Sequence, residues 1–263
     1  MRLHVESRGT GPDLVLLHGW AMHSGIWGEA GERLARHFRL HLVDLPGHGY
    51  SPACEDGTLP HMAEMVAGVL PETSIICGWS LGGQVAIELA LREPARVRKL
   101  ALISTTPCFV KREGWQSGAE AATLQLFMAN LKKNYEATMG RFLTLQVWDG
   151  DGRSHNDNAA VLAWLRDNFF RRGIPDEAAL QAGLQILLTS DLRGKLSGVT
   201  QPTLLLHGDN DIITPPEAAR WTHLQLPHSQ LMMLPHCGHA PFLSHPHEFI
   251  SAVTRLLFQD PIK

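Results

Sequence analysis

Gly78-Trp79-Ser80-Leu81-Gly82 decides the reading of this chain, because of what stands on either side of it. Upstream, Thr73-Ser74-Ile75-Ile76-Cys77 is a short apolar run of the kind that forms a buried strand. Downstream, Leu81 to Leu91 has helical spacing, and the small residues Gly82, Gly83, Ala86 and Ala90 let such a helix lie close to a sheet. A Gly-x-Ser-x-Gly turn between strand and helix is sharp: glycine admits conformations that a Cβ obstructs, and the serine hydroxyl stays exposed above the strand. Five-residue patterns recur by chance, and the plain alternative is a Gly-rich turn with a solvated serine. The flanking strand and helix favour Ser80 as a nucleophile.

Working outward, short apolar runs alternate with helical patterns along most of the chain. Leu14–Leu17, Leu40–Val43, Leu100–Ile103, Thr203–Leu206 and Leu231–Leu234 read as strands, and Trp27–His37, His61–Leu70 and Pro216–Leu224 as helices. Such alternation implies a mainly parallel sheet flanked by helices on both faces, an α/β fold, with Arg2–Ser7 as an antiparallel edge. From Lys111 to Leu196 the rhythm breaks. Only helical patterns occur there: Ala119–Lys133, Glu136–Val147, Asn158–Arg171 and Glu177–Leu188. One crossover rarely needs four helices. Residues 111–196 therefore read as an inserted helical cap, with 1–110 and 197–263 as the core.

A serine hydroxyl needs a base to take its proton and a third group to hold that base. Behind a nucleophile turn of this kind the acid follows a late strand and the base follows the last one. After Thr203–Leu206 comes His207-Gly208-Asp209-Asn210-Asp211, where two carboxylates compete. Asp211 is favoured, beyond the Gly208 turn and before an apolar pair; Asp209 suits a turn position. After Leu231–Leu234 comes Pro235-His236-Cys237-Gly238-His239-Ala240-Pro241-Phe242. With 15 histidines in the chain any one is more often structural than catalytic. His239 is distinguished by its place behind Gly238 and before the closing helix near Pro246, with His236 the competitor. An oxyanion hole needs backbone donors from the residue after the nucleophile, Leu81, and from the loop after an early strand, where His18-Gly19-Trp20 supplies the Trp20 amide. His18 reads as a brace for that loop.

Composition fits one globular domain, with room for an inserted subdomain. The 263 residues are 44% hydrophobic, enough for one well-cored domain. No apolar stretch is long enough to cross a bilayer, and Met1-Arg2-Leu3-His4-Val5-Glu6 lacks signal-peptide anatomy, so no membrane and a cytoplasmic location are expected. Cys54, Cys77, Cys108 and Cys237 form no Cys-x-x-Cys pair, so neither zinc nor a disulfide framework is implied. A formal charge of −3 disfavours general nucleic-acid binding.

Taken together these residues resemble the α/β-hydrolase superfamily over essentially the whole chain, and imply its fold, with Asp44-Leu45-Pro46-Gly47 shaping a turn. A closer resemblance is to the pimeloyl-acyl-carrier-protein methyl ester esterases of biotin synthesis. It rests on Leu16-Leu17-His18-Gly19-Trp20, Gly78-Trp79-Ser80-Leu81-Gly82-Gly83, Arg141-Phe142-Leu143-Thr144-Leu145-Gln146 and His239-Ala240-Pro241-Phe242-Leu243. The resemblance implies hydrolysis of the methyl ester on a carrier-bound pimeloyl chain, with Ser80, Asp211 and His239 catalytic and no metal or other cofactor. It also implies that Trp20, Ser80, Leu81, Phe142, Leu143, Thr144, Leu145, Gln146 and His239 surround the substrate. Phe142, Leu143 and Leu145 read equally well as cap packing.

In that family cap arginines grip the acidic carrier protein, and Arg141, with Arg153, takes that part here. The segment Lys132–Arg172 holds seven basic residues against five acids in a chain whose formal charge is −3, which favours an anionic partner at the cap; a solvated mixed-charge face is the alternative. The chain is expected to be monomeric. Competing readings are a broad-specificity short-chain carboxylesterase, a perhydrolase or a carbon–carbon bond hydrolase on the same triad, and, less favoured, a non-catalytic ligand receptor.

Overall fold

The computed structural model of the chain describes residues 2–54, 56–148 and 155–258. Its strands are β1 (Val5–Arg8), β2 (Asp13–Leu17), β3 (Arg39–Val43), β4 (Ser74–Trp79), β5 (Val97–Ile103), β6 (Thr203–Gly208) and β7 (Ser229–Leu234). They make one sheet in the order β1-β3-β2-β4-β5-β6-β7. β1 runs antiparallel to β3, and every other pairing is parallel. The expected edge strand is present, three residues later than its apolar start suggested. Leu14, Val15, Leu16 and Leu17 have no exposed surface. That is the signature of a central parallel strand covered on both faces, and it explains why these strands read as continuous apolar runs.

The helices are α1 (Gly28–Leu34), α2 (Leu59–Ala67), α3 (Leu81–Arg92), α4 (Ala121–Lys133), α5 (Tyr135–Gln146), α6 (His155–Phe170), α7 (Glu177–Thr189), α8 (Pro216–Gln225), α9 (Pro241–Ser244) and α10 (Pro246–Phe258). The pattern over Trp27–His37 divides into a 3-10 turn at Ser24–Trp27 and α1, because Gly28 between them sits at φ 34. The closing helix begins earlier than expected, as the short α9, before Pro246 restarts it as α10. Between β5 and β6 lie α4 to α7, preceded by isolated bridges, Val110 with Ala119 and Arg112 with Trp115, that apolar periodicity does not announce. Two of these helices start on side-chain caps: Asn134 accepts from the Ala137 amide and Asp176 from the Ala179 amide.

The topology places the site. After β3 the chain crosses over β2 to enter β4, so the strand order reverses at β2 and β4, which pair Leu17 with Gly78. A crevice at the carboxyl ends of the strands opens at such a switch point. It sets the loop after β2 beside the turn after β4. At the far side, β6 pairs with β7 as far as Gly208 opposite Leu234, so the loops bearing Asp211 and His239 leave the sheet together.

Candidate active site

Ser80 sits at φ 55, ψ −118, a conformation that non-glycine residues rarely adopt. The surroundings hold it there. Its amide donates to the Ile103 carbonyl at 3.0 Å, and its carbonyl accepts from the Gly83 amide at 2.9 Å and the Thr105 hydroxyl at 2.7 Å. Glycine is required on both flanks: a Cβ at Gly78 would stand 2.2 Å from the Gly82 carbonyl, and one at Gly82 would stand 2.4 Å from that of Leu17. Leu81 opens α3, where first-turn amides have no partner inside the helix. The loop after β2 passes directly over the serine, since a Cβ on Gly19 would lie 3.3 Å from Ser80 Cβ.

His18 braces this loop, as its position suggested. Its Nε2 accepts the Leu45 amide at 2.9 Å, so the proton is on Nδ1, which donates to the Gly19 carbonyl at 2.8 Å. Burial, with His48 alongside, pushes the imidazole pKa down to about 3 and keeps it neutral. Asp44 belongs to the same scaffold. Fully buried, it accepts from the Ser24 amide at 2.6 Å and the Tyr50 amide at 3.0 Å, and pairs with Arg172 at 2.9 Å.

Asp211 and His239 meet. Asp211 Oδ2 lies 2.8 Å from His239 Nδ1, and both side chains are buried. Asp209 and His236, the alternatives weighed for the same loops, are exposed. Burial opposes ionisation of Asp211, yet its carboxyl is held far below the ordinary carboxylate range. Charge interaction with His239 and hydrogen bonds from His207 and His239 outweigh the desolvation. An ionised carboxylate only accepts, so Nδ1 of His239 carries a proton. His239 is tied to the nucleophile turn by the Trp79 indole, whose Nε1 donates to the His239 carbonyl at 2.8 Å. Among the described residues no hydrogen bond joins the Ser80 hydroxyl to the His239 ring; such contacts often close only around substrate.

Above Ser80 opens an apolar cavity of about 180 Å³ walled by Trp20, Phe109, Leu124, Phe127, Phe142, Leu145, Leu184, Leu187, Ile212 and Ile213. Trp20, Phe127 and Phe142 pack edge to face or tilted, with ring centres 5.0 to 5.9 Å apart, and the Trp20 indole is anchored to the Leu180 carbonyl at 2.9 Å.

Of the expected run 142–146, only Phe142 and Leu145 face this cavity. Five consecutive helical residues point around the whole helix, so they cannot all line one wall. Leu143 is buried in the core, Thr144 Oγ1 bonds the Gly140 carbonyl, and the Gln146 carbonyl accepts the Ala240 amide, which docks α5 on the His239 loop. Leu81 and His239 lie outside the cavity wall. The walls from α4 and α7 went unrecognised in the sequence, although Leu124 with Phe127 and Leu184 with Leu187 carry the i, i+3 spacing of one helix face.

In the helical segment between β5 and β6, Lys132, Lys133, Arg141, Arg166 and Arg171 are exposed. Arg172 is not free for a partner: it is bound to Asp44 and Glu6, so the basic excess read from the sequence overstates what is available. Arg153 lies outside the described residues. Among the described residues no helix is long and apolar enough to cross a membrane.

Residues 12–246 match a family model described as the alpha/beta hydrolase fold. A protein of Nitrosospira multiformis named pimeloyl-acyl-carrier protein methyl ester esterase is 56% identical over 260 residues, covering 96% of this chain and 97% of its own. One of the same name from Nitrosomonas europaea is 55% identical, covering 97% of this chain and 99% of its own. Among solved structures, an esterase from Exiguobacterium antarcticum superposes with a TM-score of 0.88 over 98% of this chain and 96% of that one, at 24% identity, a likeness of fold alone. The chain belongs to the α/β-hydrolase family, in the same branch as these two relatives.

Proposed function

We propose that this chain is a serine carboxylesterase that removes the methyl ester from pimeloyl-acyl-carrier protein, giving pimeloyl-acyl-carrier protein and methanol in biotin synthesis. The observation that carries the chemistry is the Asp211–His239 pair, 2.8 Å apart and buried, tied through Trp79 to a serine held at a strained elbow. Full-length identity of 55–56% to esterases of that name supports the substrate.

His239 Nε2 takes the Ser80 proton as Oγ attacks the ester carbonyl, while Asp211 stabilises the imidazolium that forms. The Trp20 and Leu81 amides receive the oxyanion. Collapse breaks the bond to the methoxy group, which takes the proton from His239 and leaves as methanol. Water, deprotonated by the same nitrogen, then attacks the acyl-enzyme and frees Ser80.

Residues 111–196 act as a cap over this chemistry. The cavity, about 180 Å³ and walled by apolar side chains, suits a short methylene chain. Arg141 is the cap residue assigned to the acidic carrier, and the enzyme works as a cytoplasmic monomer. The test is genetic: expression in a biotin-requiring strain that lacks the demethylating step restores growth without biotin. Failure to restore it, with soluble protein that still cleaves p-nitrophenyl esters, returns the chain to the general esterases.

A further inference from the structure

Asp211 has more partners than a catalytic acid needs. Its Oδ1 accepts the Ile213 and Thr214 amides, both at 2.9 Å. Its Oδ2 accepts the Thr214 hydroxyl at 2.7 Å as well as His239 Nδ1, and a second buried imidazole, His207, brings Nε2 to 3.3 Å of the same oxygen. That nitrogen lies 2.7 Å from the Thr214 carbonyl, which can only accept, so His207 Nε2 carries a proton and grips the acid loop from the rigid end of β6. The Thr214 hydroxyl has one proton and two acceptors in reach, Asp211 Oδ2 and the Ser104 carbonyl at 3.1 Å. The shorter bond, to the charged oxygen, wins. Ser104 is itself held at φ 44 at the end of β5, the rare backbone state that marks an over-determined site.

We propose that Thr214, seated on His207, is a positioning residue for the catalytic acid: its amide and hydroxyl fix the Asp211 carboxylate in the one orientation that accepts the His239 Nδ1 proton, and its hydroxyl sets how strongly that carboxylate holds it. This rests on the reading of Ser80, His239 and Asp211 as nucleophile, base and acid. Without the hydroxyl, Oδ2 loses a donor at full burial, its negative charge is less compensated, and the imidazolium of His239 is favoured. The other titratable groups around this carboxylate are His207 on β6 and Cys237 on the loop after β7, with Asp209 on the exposed turn between Gly208 and Asp211.

The experiment compares Thr214→Val, Thr214→Ser, His207→Gln and Asp211→Asn by kcat, KM and the pH profile of kcat/KM on a p-nitrophenyl ester. Thr214→Val lowers kcat about tenfold with KM nearly unchanged, the effect of one hydrogen bond to a charged group. It also moves the acid limb of the profile to higher pH, by roughly half a unit. Thr214→Ser restores both, and His207→Gln lowers kcat in the same way through the loosened loop. An acid limb that stays in place in Thr214→Val, or a kcat that serine does not restore, overturns the proposal. Full turnover by Asp211→Asn instead overturns the triad reading beneath it. Should the valine variant fail to fold, the same limb position in His207→Gln and wild type, with equal kcat, is the overturning result.

Discussion

Trp79 Nε1 donates to the carbonyl oxygen of His239 at 2.8 Å, so the residue before Ser80 holds the backbone of the proposed base. The indole is almost wholly buried, 5.5 Å from the His239 ring and edge-on to Phe242 at 5.0 Å. Trp79→Phe keeps an aromatic ring and removes the donor, leaving a buried carbonyl unpartnered at a cost of about 1–3 kcal/mol. Because the loop then drifts relative to Ser80, kcat falls by about tenfold. Thermal unfolding and steady-state kinetics on the same preparation read both effects, and a variant matching wild type in each shows that the tether is dispensable.

The strained elbow makes an unusual forecast about stability. Ser80 occupies φ 55, where glycine is at ease and alanine is not. Ser80→Gly therefore unfolds at higher urea than Ser80→Ala, by about 1 kcal/mol after the added flexibility of the unfolded glycine is counted. Both lose turnover by roughly a millionfold. Equal unfolding midpoints for the two would mean that the backbone at position 80 stores no strain.

Acid sensitivity follows from the His18 brace rather than from the Asp211–His239 pair. His18 keeps a folded pKa of about 3 against an ordinary value of 6.5, so between those limits the unfolded chain binds a proton that the folded chain refuses. Stability accordingly falls as the medium is acidified through that window. His23 and His48 are lowered too, chiefly by burial, and pull the same way. Asp211 is depressed instead, so its contribution is whole above about 3.8 and is lost only as pH falls further. In denaturant titrations from pH 4 to 6.5, His18→Gln gives a shallower dependence than wild type; an equally steep curve would rule out His18 as a source of the slope.

The strands and the turn at Ser80 were legible because parallel strands buried on both faces leave contiguous apolar runs, as at Leu14–Leu17, and because an elbow demands glycines at fixed offsets from Ser80. Candidates for acid and base could be ranked by loop position, but the burial of Asp211 and His239 beside the exposed Asp209 and His236 is a property of the packed loops. Less visible still were Thr214 and His207, since a threonine and a strand-end histidine carry no pattern until β6 and its loop fold back on one another. The α5 run failed as a substrate wall for a geometric reason: Phe142 and Leu145 share a face, whereas Leu143, Thr144 and Gln146 turn away from it. Arg172 looked like one more surface cation, and only the fold reveals Asp44 waiting beneath it.

Phe127 is the cavity residue with the clearest consequence for specificity. It stands on α4, 5.5 Å from the Trp20 ring and 5.9 Å from that of Phe142, and lines, together with Ser80, a cavity of about 180 Å³. Phe127→Ala removes a ring that is partly buried, so the stability cost is about 1–3 kcal/mol, below that of a fully buried phenylalanine. The space released accepts additional methylenes, each favouring transfer from water by about 0.8 kcal/mol. In a series of p-nitrophenyl esters of increasing acyl length, the kcat/KM optimum of Phe127→Ala therefore moves to chains two or three carbons longer, by roughly threefold to fourfold per added methylene. Short esters, which lose the aromatic contact and gain nothing, become poorer substrates. An optimum that stays in place while the enzyme remains folded would show that the acyl chain runs past another wall of the cavity, and Leu187 on α7 is then the residue to truncate.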